Sequence, residues 1–235
     1  MAATFQQFLA RAATRQRVVL IGGLAVIAHG YSRPTKDADA WLEPLDSPEA
    51  WAAALCATLA EFADLRLWCL AERRDVEAGR LAEVIATFGV VRVCGLHADL
   101  DLFRRPNNLA CEDFQTVWGQ AEPWADDVRV MDPMDLILTK ENTGREQDRQ
   151  DIGFLEAKIR TDFGARLAVA SLDEARALLA RYADHVVCER ALTNPDPAVR
   201  ALARGVIEEL AAAGDWFSRD VLARLERERT GGPAV

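Results

Sequence analysis

Hydrophobic and polar positions change their period part-way along this chain. Up to residue 103, short apolar runs of strand length alternate with stretches of helical spacing. A helix over 3–16 is followed by a strand at Val18-Val19-Leu20-Ile21, a helix over 23–30 and a strand over 37–42. Ser47-Pro48-Glu49 opens the next helix, with a serine to cap it and a proline at the first helical position. That helix is expected to run to Phe62. A strand over 65–70 and a helix over 76–87 come next. Strands 90–94 and 98–103 are joined by the Gly95-Leu96-His97 turn, which predicts an antiparallel pair.

From Asp132-Pro133 onward the spacing is helical almost throughout. Segments 132–143, 145–159, 171–184, 196–213 and 218–229 each carry it, and Ser171 with Glu174 fits a capping box. Thr230 to Val235 read as a frayed end. The pattern predicts an α+β fold in two parts: residues 1–130, with a small mixed sheet flanked by helices, and a helical region over 131–235. The boundary falls between Trp124 and Asp132.

Composition narrows the options. A chain of 235 residues can bury a real core. No apolar run reaches the ~18 residues that suggest a membrane span, and the first residues lack a signal-peptide pattern. A cytoplasmic protein with no membrane partner is expected. The five cysteines are scattered without C-x-x-C spacing, which speaks against a disulfide framework and a zinc site. Net charge is −9. Residues 1–130 hold 13 basic and 18 acidic residues, and 131–235 hold 15 and 19, so neither part suits bulk duplex nucleic acid. Lysine occurs only at Lys36, Lys140 and Lys158, against 25 arginines.

The candidate chemistry begins at Gly22-Gly23, where strand gives way to helix and the backbone leaves room for a phosphate. Asp37 and Asp39 follow on the next strand, two residues apart and therefore on one face. Two carboxylates held that close repel, and a hard divalent cation relieves the repulsion. Asp99 and Asp101 form a second such pair. If their strand neighbours the first, it supplies a third carboxylate, able to share in holding metal or to act as general base. A third cluster, Lys140-Glu141-Asn142-Thr143-Gly144-Arg145-Glu146-Gln147-Asp148-Arg149-Gln150-Asp151, is read as one helix. Spacings of three and four would line Lys140, Gly144, Asp148 and Asp151 along one face, with Ile137, Leu138, Ile152 and Leu155 as an apolar anchor. Lys140 would then reach a triphosphate, with Asp148 and Asp151 orienting Lys140 or Arg145.

Taken together, the run Gly22-Gly23-Leu24-Ala25-Val26, His29-Gly30, Arg33, Thr35, Asp37-x-Asp39, then Asp101-Leu102-Phe103, then Lys140 with Gly144 to Asp151, resembles the minimal nucleotidyltransferases of the DNA polymerase β-like superfamily. The similarity is greatest to the bacterial branch that includes AbiEii toxin-like proteins, and it covers about residues 17–158. It implies a nucleotidyltransferase fold with a helical region closing over the nucleotide. It implies Mg²⁺ or Mn²⁺, an NTP donor, and transfer of NMP to a hydroxyl acceptor with release of pyrophosphate. The acceptor is left open among a protein, a tRNA end and a small molecule. A toxin–antitoxin or defence role, with an antitoxin partner, belongs to the same expectation.

Carried over by residue, the resemblance makes Asp37, Asp39 and Asp101 catalytic and metal-binding. Gly22, Gly23 and Lys140 become nucleotide-binding; Arg33 and Thr35, in the loop entering the metal strand, and Arg145, in the charged cluster, join them as nucleotide-binding candidates. Asp101 is preferred as the third carboxylate because Leu-Phe follows it, with Asp99 as the alternative. Where the glycine motif often ends in serine, this chain has Gly23, so one phosphate contact is missing. His29, His97, Trp41 and Trp68 read as packing or turn residues, and Arg104 with Arg105 as candidates to line an acceptor site.

Two other readings compete. One is a catalytically silent nucleotide-binding or partner-binding module that keeps the fold. The other is a glycosyltransferase whose Asp-x-Asp holds a nucleotide-sugar, disfavoured because the pair follows the Gly-Gly turn so closely. No G-x-x-x-x-G-K-[ST] or G-x-G-x-x-G pattern occurs, so ATPase and dinucleotide roles lack support.

Overall fold

The computed structural model describes residues 2–230; the end expected to fray lies, beyond Thr230, outside them. The chain is a mixed α/β protein. Thr4 caps α1 (Phe5–Ala13) through a full capping box with Gln7. Then follow β1 (Val18–Ile21), α2 (Gly22–Ala28), β2 (Asp37–Leu42) and α3 (Pro48–Leu59), which Ser47 caps as its sequence foretells. β3 (Arg66–Cys69), β4 (Arg74–Val76) and α4 (Leu81–Phe88) come next. β5 (Val90–Cys94) and β6 (Asp99–Phe103) form the expected antiparallel pair. α5 (Phe114–Gln120), β7 (Glu122–Ala125), β8 (Val128–Val130) and α6 (Pro133–Lys140) precede the long α7 (Glu146–Leu167). The remaining helices are α8 (Leu172–Arg181), α9 (His185–Ala191), α10 (Pro197–Ala212) and α11 (Trp216–Thr230).

All eight strands join one sheet in the order β4-β3-β5-β6-β2-β1-β8-β7. β2 lies parallel to β6 and antiparallel to β1, while β8 lies parallel to β1. The sheet is larger than the sequence predicts, for local reasons. β4 has only three residues, and the stretch expected to begin a helix at Val76 instead pairs with β3 before α4 starts at Leu81. β7 contains Pro123, and β8 is again three residues long, too short for alternation to stand out. α5 and α9, seven residues each, are too short for a helical period to stand out in the sequence.

Two compact units result, Met1–Leu155 and Glu156–Val235. The expected boundary near 130 differs because β8 extends the sheet beside β1, and Met131 and Leu136 enter the same core. The first core is built from Val18–Ile21, Ala38, Ala40, Trp41, Leu100 and Leu102 with the inner faces of α1, α3 and α4. Trp41 is fully buried, sets its ring edge-on to Phe114 and donates its indole N–H to the Arg104 carbonyl at 2.9 Å. The second unit is helical: Val187, Val199, Ala203, Ile207 and Val221 are buried there. No helix among the described residues is long and apolar enough to cross a membrane.

Candidate active site

Strand pairing brings the acidic residues together. Parallel β2 and β6 set Asp37 opposite Asp99 and Asp39 opposite Asp101, and antiparallel β1 sets Ile21 opposite Asp39. Ala38, Ala40, Leu100 and Leu102 point into the core, so the period of two turns the four carboxylates to the other face. Asp101 is 7% exposed, whereas the Asp99 side chain is half exposed.

Gly22 follows β1 directly, with φ +63°. A Cβ there would lie 2.0 Å from the Asp39 carboxylate oxygen, so only glycine lets the carboxylate lie against the backbone. The Gly23 N–H donates to Asp39. Burial first, then repulsion from Asp37 and from Asp101, pushes the Asp39 carboxyl up to about 7, against the pull of Lys140 and of that N–H.

Gly23 has its own constraint. A Cβ there would approach Arg33 Nη2 to 2.8 Å and Thr35 Oγ1 to 2.9 Å. The space that a serine hydroxyl would need is filled by a guanidinium edge and a threonine hydroxyl. Thr35 also leans on Asp37, donating to its carbonyl at 3.3 Å.

The basic cluster converges, though not along one helix face. Asn142 at φ +61° and Gly144 at φ +72° break the run, so Lys140 ends α6 while Asp148 and Asp151 open α7. Leu138 is exposed and does not serve as an anchor; Leu155 is fully buried and does. Lys140 reaches Asp151 at 2.7 Å and Asp148 at 3.2 Å. Asp151, fully buried, also accepts from Arg33 Nε and Nη2, both at 2.8 Å. One carboxylate thus ties the loop before β2 to the end of α6. Burial pushes the Asp148 carboxyl up, but hydrogen bonds from Thr143, Arg145 and Lys140 outweigh it and hold the group below its usual range. Arg145 is largely exposed and donates to Asp148 at 2.6 Å.

Other sequence candidates fall outside this cluster. Buried His29 donates to the Met131 carbonyl at 2.8 Å, joining the end of α2 to the segment after β8. Exposed His97 sits in the β5–β6 turn. Arg104 donates to the Pro44 carbonyl beyond the far ends of β2 and β6, so the acceptor-lining role considered for it and Arg105 finds no support at the carboxylates. The five cysteines are free thiols.

No family model matches this chain, and no curated protein sequence matches it.

One residue at the site was not foreseen. Arg92 on β5 lies directly opposite Asp101 and grips it with Nε at 2.6 Å and Nη2 at 2.8 Å, while Nη1 donates to Asp99 at 3.1 Å. The register turns on one residue: a turn at 95–97 would set Arg92 opposite Leu100, whereas the loop here spans 95–98 and sets it opposite Asp101.

Among the described residues no group of three or more His, Cys, Asp or Glu side chains forms a ready metal-ligand set. The donor chemistry still fits a hard divalent cation. Mg²⁺ is usually held by one or two carboxylates, with water and substrate phosphate completing its shell. Asp37 and Asp39 supply two, and beside burial the upward push on Asp39 includes repulsion from Asp37 and Asp101, which a cation would relieve.

Proposed function

We propose that this protein is a metal-dependent nucleotidyltransferase that moves an NMP from an NTP to a hydroxyl acceptor and releases pyrophosphate. The observation that carries the reading is Asp39: a part-buried carboxylate wedged against a glycine turn, in register with a second acidic strand, and pushed up to about 7 by burial and then by its acidic neighbours.

Asp37 and Asp39 would hold Mg²⁺ or Mn²⁺, whose chemistry is to neutralise phosphate charge and draw the phosphate oxygens into place. Gly22 and Gly23 keep the strand-to-helix turn free of side chains, so that a phosphate can approach the backbone. Lys140, Arg33 and Thr35 supply positive charge and hydrogen bonds for a polyphosphate. Asp151 fixes the spacing of the two cations by bonding both. Asp101 is the third carboxylate, suited to take the proton of the attacking hydroxyl. The acceptor is a protein, a tRNA end or a small molecule, and a toxin paired with an antitoxin is one setting for such an enzyme.

One observation favours a second reading. Both oxygens of Asp101 are already bonded by Arg92, as suits a catalytically silent nucleotide-binding or partner-binding module. Thermal-shift measurements separate the two readings. Wild type and Asp39→Asn are melted with each NTP, with and without Mg²⁺, and pyrophosphate release is followed in parallel. The transferase reading expects an Mg²⁺-dependent shift with at least one NTP, about 2.7 kcal/mol at a hundredfold excess over Kd, lost in the variant, and slow pyrophosphate release by wild type. A shift without release across protein, RNA and small-molecule acceptors favours the silent module. No shift with any NTP counts against transfer and against nucleotide binding, and leaves the partner-binding module.

A further inference from the structure

Arg92 and Asp99 have no part in the reaction outlined above, yet they surround its third carboxylate. Asp101 presents two oxygens, and the Arg92 fork takes both. Such a bidentate pair is among the strongest side-chain interactions and fixes the plane of the carboxylate. While it lasts, each Asp101 oxygen has one lone pair engaged and shares its charge with the guanidinium, which makes it a weaker ligand for a cation and a weaker base for a hydroxyl. Asp99 lies two residues earlier on the same face of β6 and accepts one hydrogen bond from the same guanidinium, at 3.1 Å on Oδ2. Asp101 is buried, Asp99 is half exposed, and the Arg92 side chain is 23% exposed. A path from Asp101 toward Asp99 therefore leads outward, toward water, and never leaves the guanidinium without an acidic partner.

We propose that Arg92 is a positioning residue that holds Asp101 back and moves onto Asp99 when a divalent cation enters the Asp37–Asp39 site. The inference rests on the nucleotidyl-transfer reading. Without a cation, the guanidinium neutralises one member of a crowded acidic group. With a cation in place, two positive charges compete for Asp101, and Asp99 gives the displaced guanidinium somewhere to go. This accounts for two acids on one face of β6 where the reaction uses one.

The test is Mn²⁺ binding to the full chain without nucleotide, read from the electron paramagnetic resonance signal of free Mn²⁺. Wild type, Asp39→Asn, Arg92→Gln, Asp99→Asn and the double variant Arg92→Gln/Asp99→Asn are compared. Arg92→Gln removes the competing cation and should bind Mn²⁺ about tenfold more tightly. Asp99→Asn removes the landing place and should bind about three- to fivefold more weakly. In the double variant, Asp99→Asn should have no further effect, because no guanidinium is left to receive. If Asp99→Asn weakens binding equally in both backgrounds, Asp99 acts only through its charge and the proposal is overturned. Unchanged or weaker binding in Arg92→Gln overturns it as well. Should Arg92→Gln fail to fold, Arg92→Met removes the same charge while keeping an unbranched stem and supplies the same cycle. Wild-type binding that is absent, or indifferent to Asp39→Asn, overturns the nucleotidyl-transfer reading itself and this proposal with it, a result distinct from a failed cycle.

Discussion

The two compact units bury polar groups for different ends. In residues 156–230 the buried polar side chains are Asn194 and Ser218, and both serve the backbone or a helix start. Asn194 donates to the carbonyls of Leu167 and Ala170, and Ser218 bonds with Asp215 at the start of α11. In residues 2–155 Asp101, Lys140, Asp148 and Asp151 are all buried, with Arg33 only 11% exposed. Every described non-glycine residue with positive φ also lies there, from Leu45 to Asn142. The charge is uneven too: 16 basic against 24 acidic residues up to 155, and 12 against 13 beyond. Buried ion pairs seldom improve stability over well-packed apolar residues. A unit that holds several, beside strained backbone, is shaped by something other than folding.

The contrast can be broken most severely at Asp151. Asp151→Ala leaves Lys140 without its nearest partner and Arg33 without its fork, and should lower stability by about 3–5 kcal/mol. Urea unfolding followed by tryptophan fluorescence reports on the right unit, since five of the six tryptophans precede residue 155. A loss under about 1 kcal/mol would mean that the network is not held as a unit.

The second effect depends on pH. The Asp39 carboxyl is raised from 3.8 to about 7 in the folded chain. Between those values the native state binds the extra proton and the unfolded chain does not. Stability should therefore fall as pH rises from about 4 to about 7, by about 2–4 kcal/mol for this group. Melting in EDTA across that range should show a smaller decline in Asp39→Asn, which should be the more stable protein at pH 8. Equal slopes in the two proteins would deny that Asp39 carries the strain.

In the helical unit the expected effects are smaller and of ordinary kind. Asn194→Ala removes two donors from carbonyls at the end of α7 and should lower stability by about 1–3 kcal/mol. Far-UV circular dichroism on heating should show it with no change in nucleotide or Mn²⁺ response. Smallest is Gly205→Ala in α10. Nothing lies within 4 Å of the Cβ it would add, so it should stabilise by about 0.5–1 kcal/mol. A destabilised Gly205→Ala would show that even this unit has hidden constraints.

Much of this contrast was legible in the sequence, and the illegible parts have physical causes. The turn at Gly22, the shared face of Asp37 and Asp39, and the antiparallel pairing of β5 with β6 follow from glycine geometry, a period of two and a short glycine-bearing turn, although the loop of four residues, 95–98, shifts the register by one from a turn at 95–97. That β2 and β6 lie side by side is not written in either strand, since nothing local specifies which strands meet across 60 residues. Lys140, Asp148 and Asp151 were read as one helix face because their spacing fits. Asn142 and Gly144 break the helix between them, and the cluster forms anyway because charge draws the pieces together. β8 escaped notice because three residues are too few to show a period. Arg92 did so because an arginine on a strand looks like any solvent-facing residue until its partner across the ladder is counted.

The distance along the chain between the parts of the site has a consequence for the protein as it is made. Asp39 lies against Gly22, but Arg33 is clamped by a residue 118 positions further on, and β1 pairs with β8 across a similar gap. A ribosome adds about 5–20 residues each second, so roughly 6–22 s separate the synthesis of Asp39 from that of Asp151. During that interval the acidic strand exists without the clamp that sets its basic counterpart. All four carboxylates of β2 and β6 are made once Asp101 is added, and the clamp on Arg33 and Lys140 follows only with Asp151, so the acidic and basic halves of the cluster come together in that order.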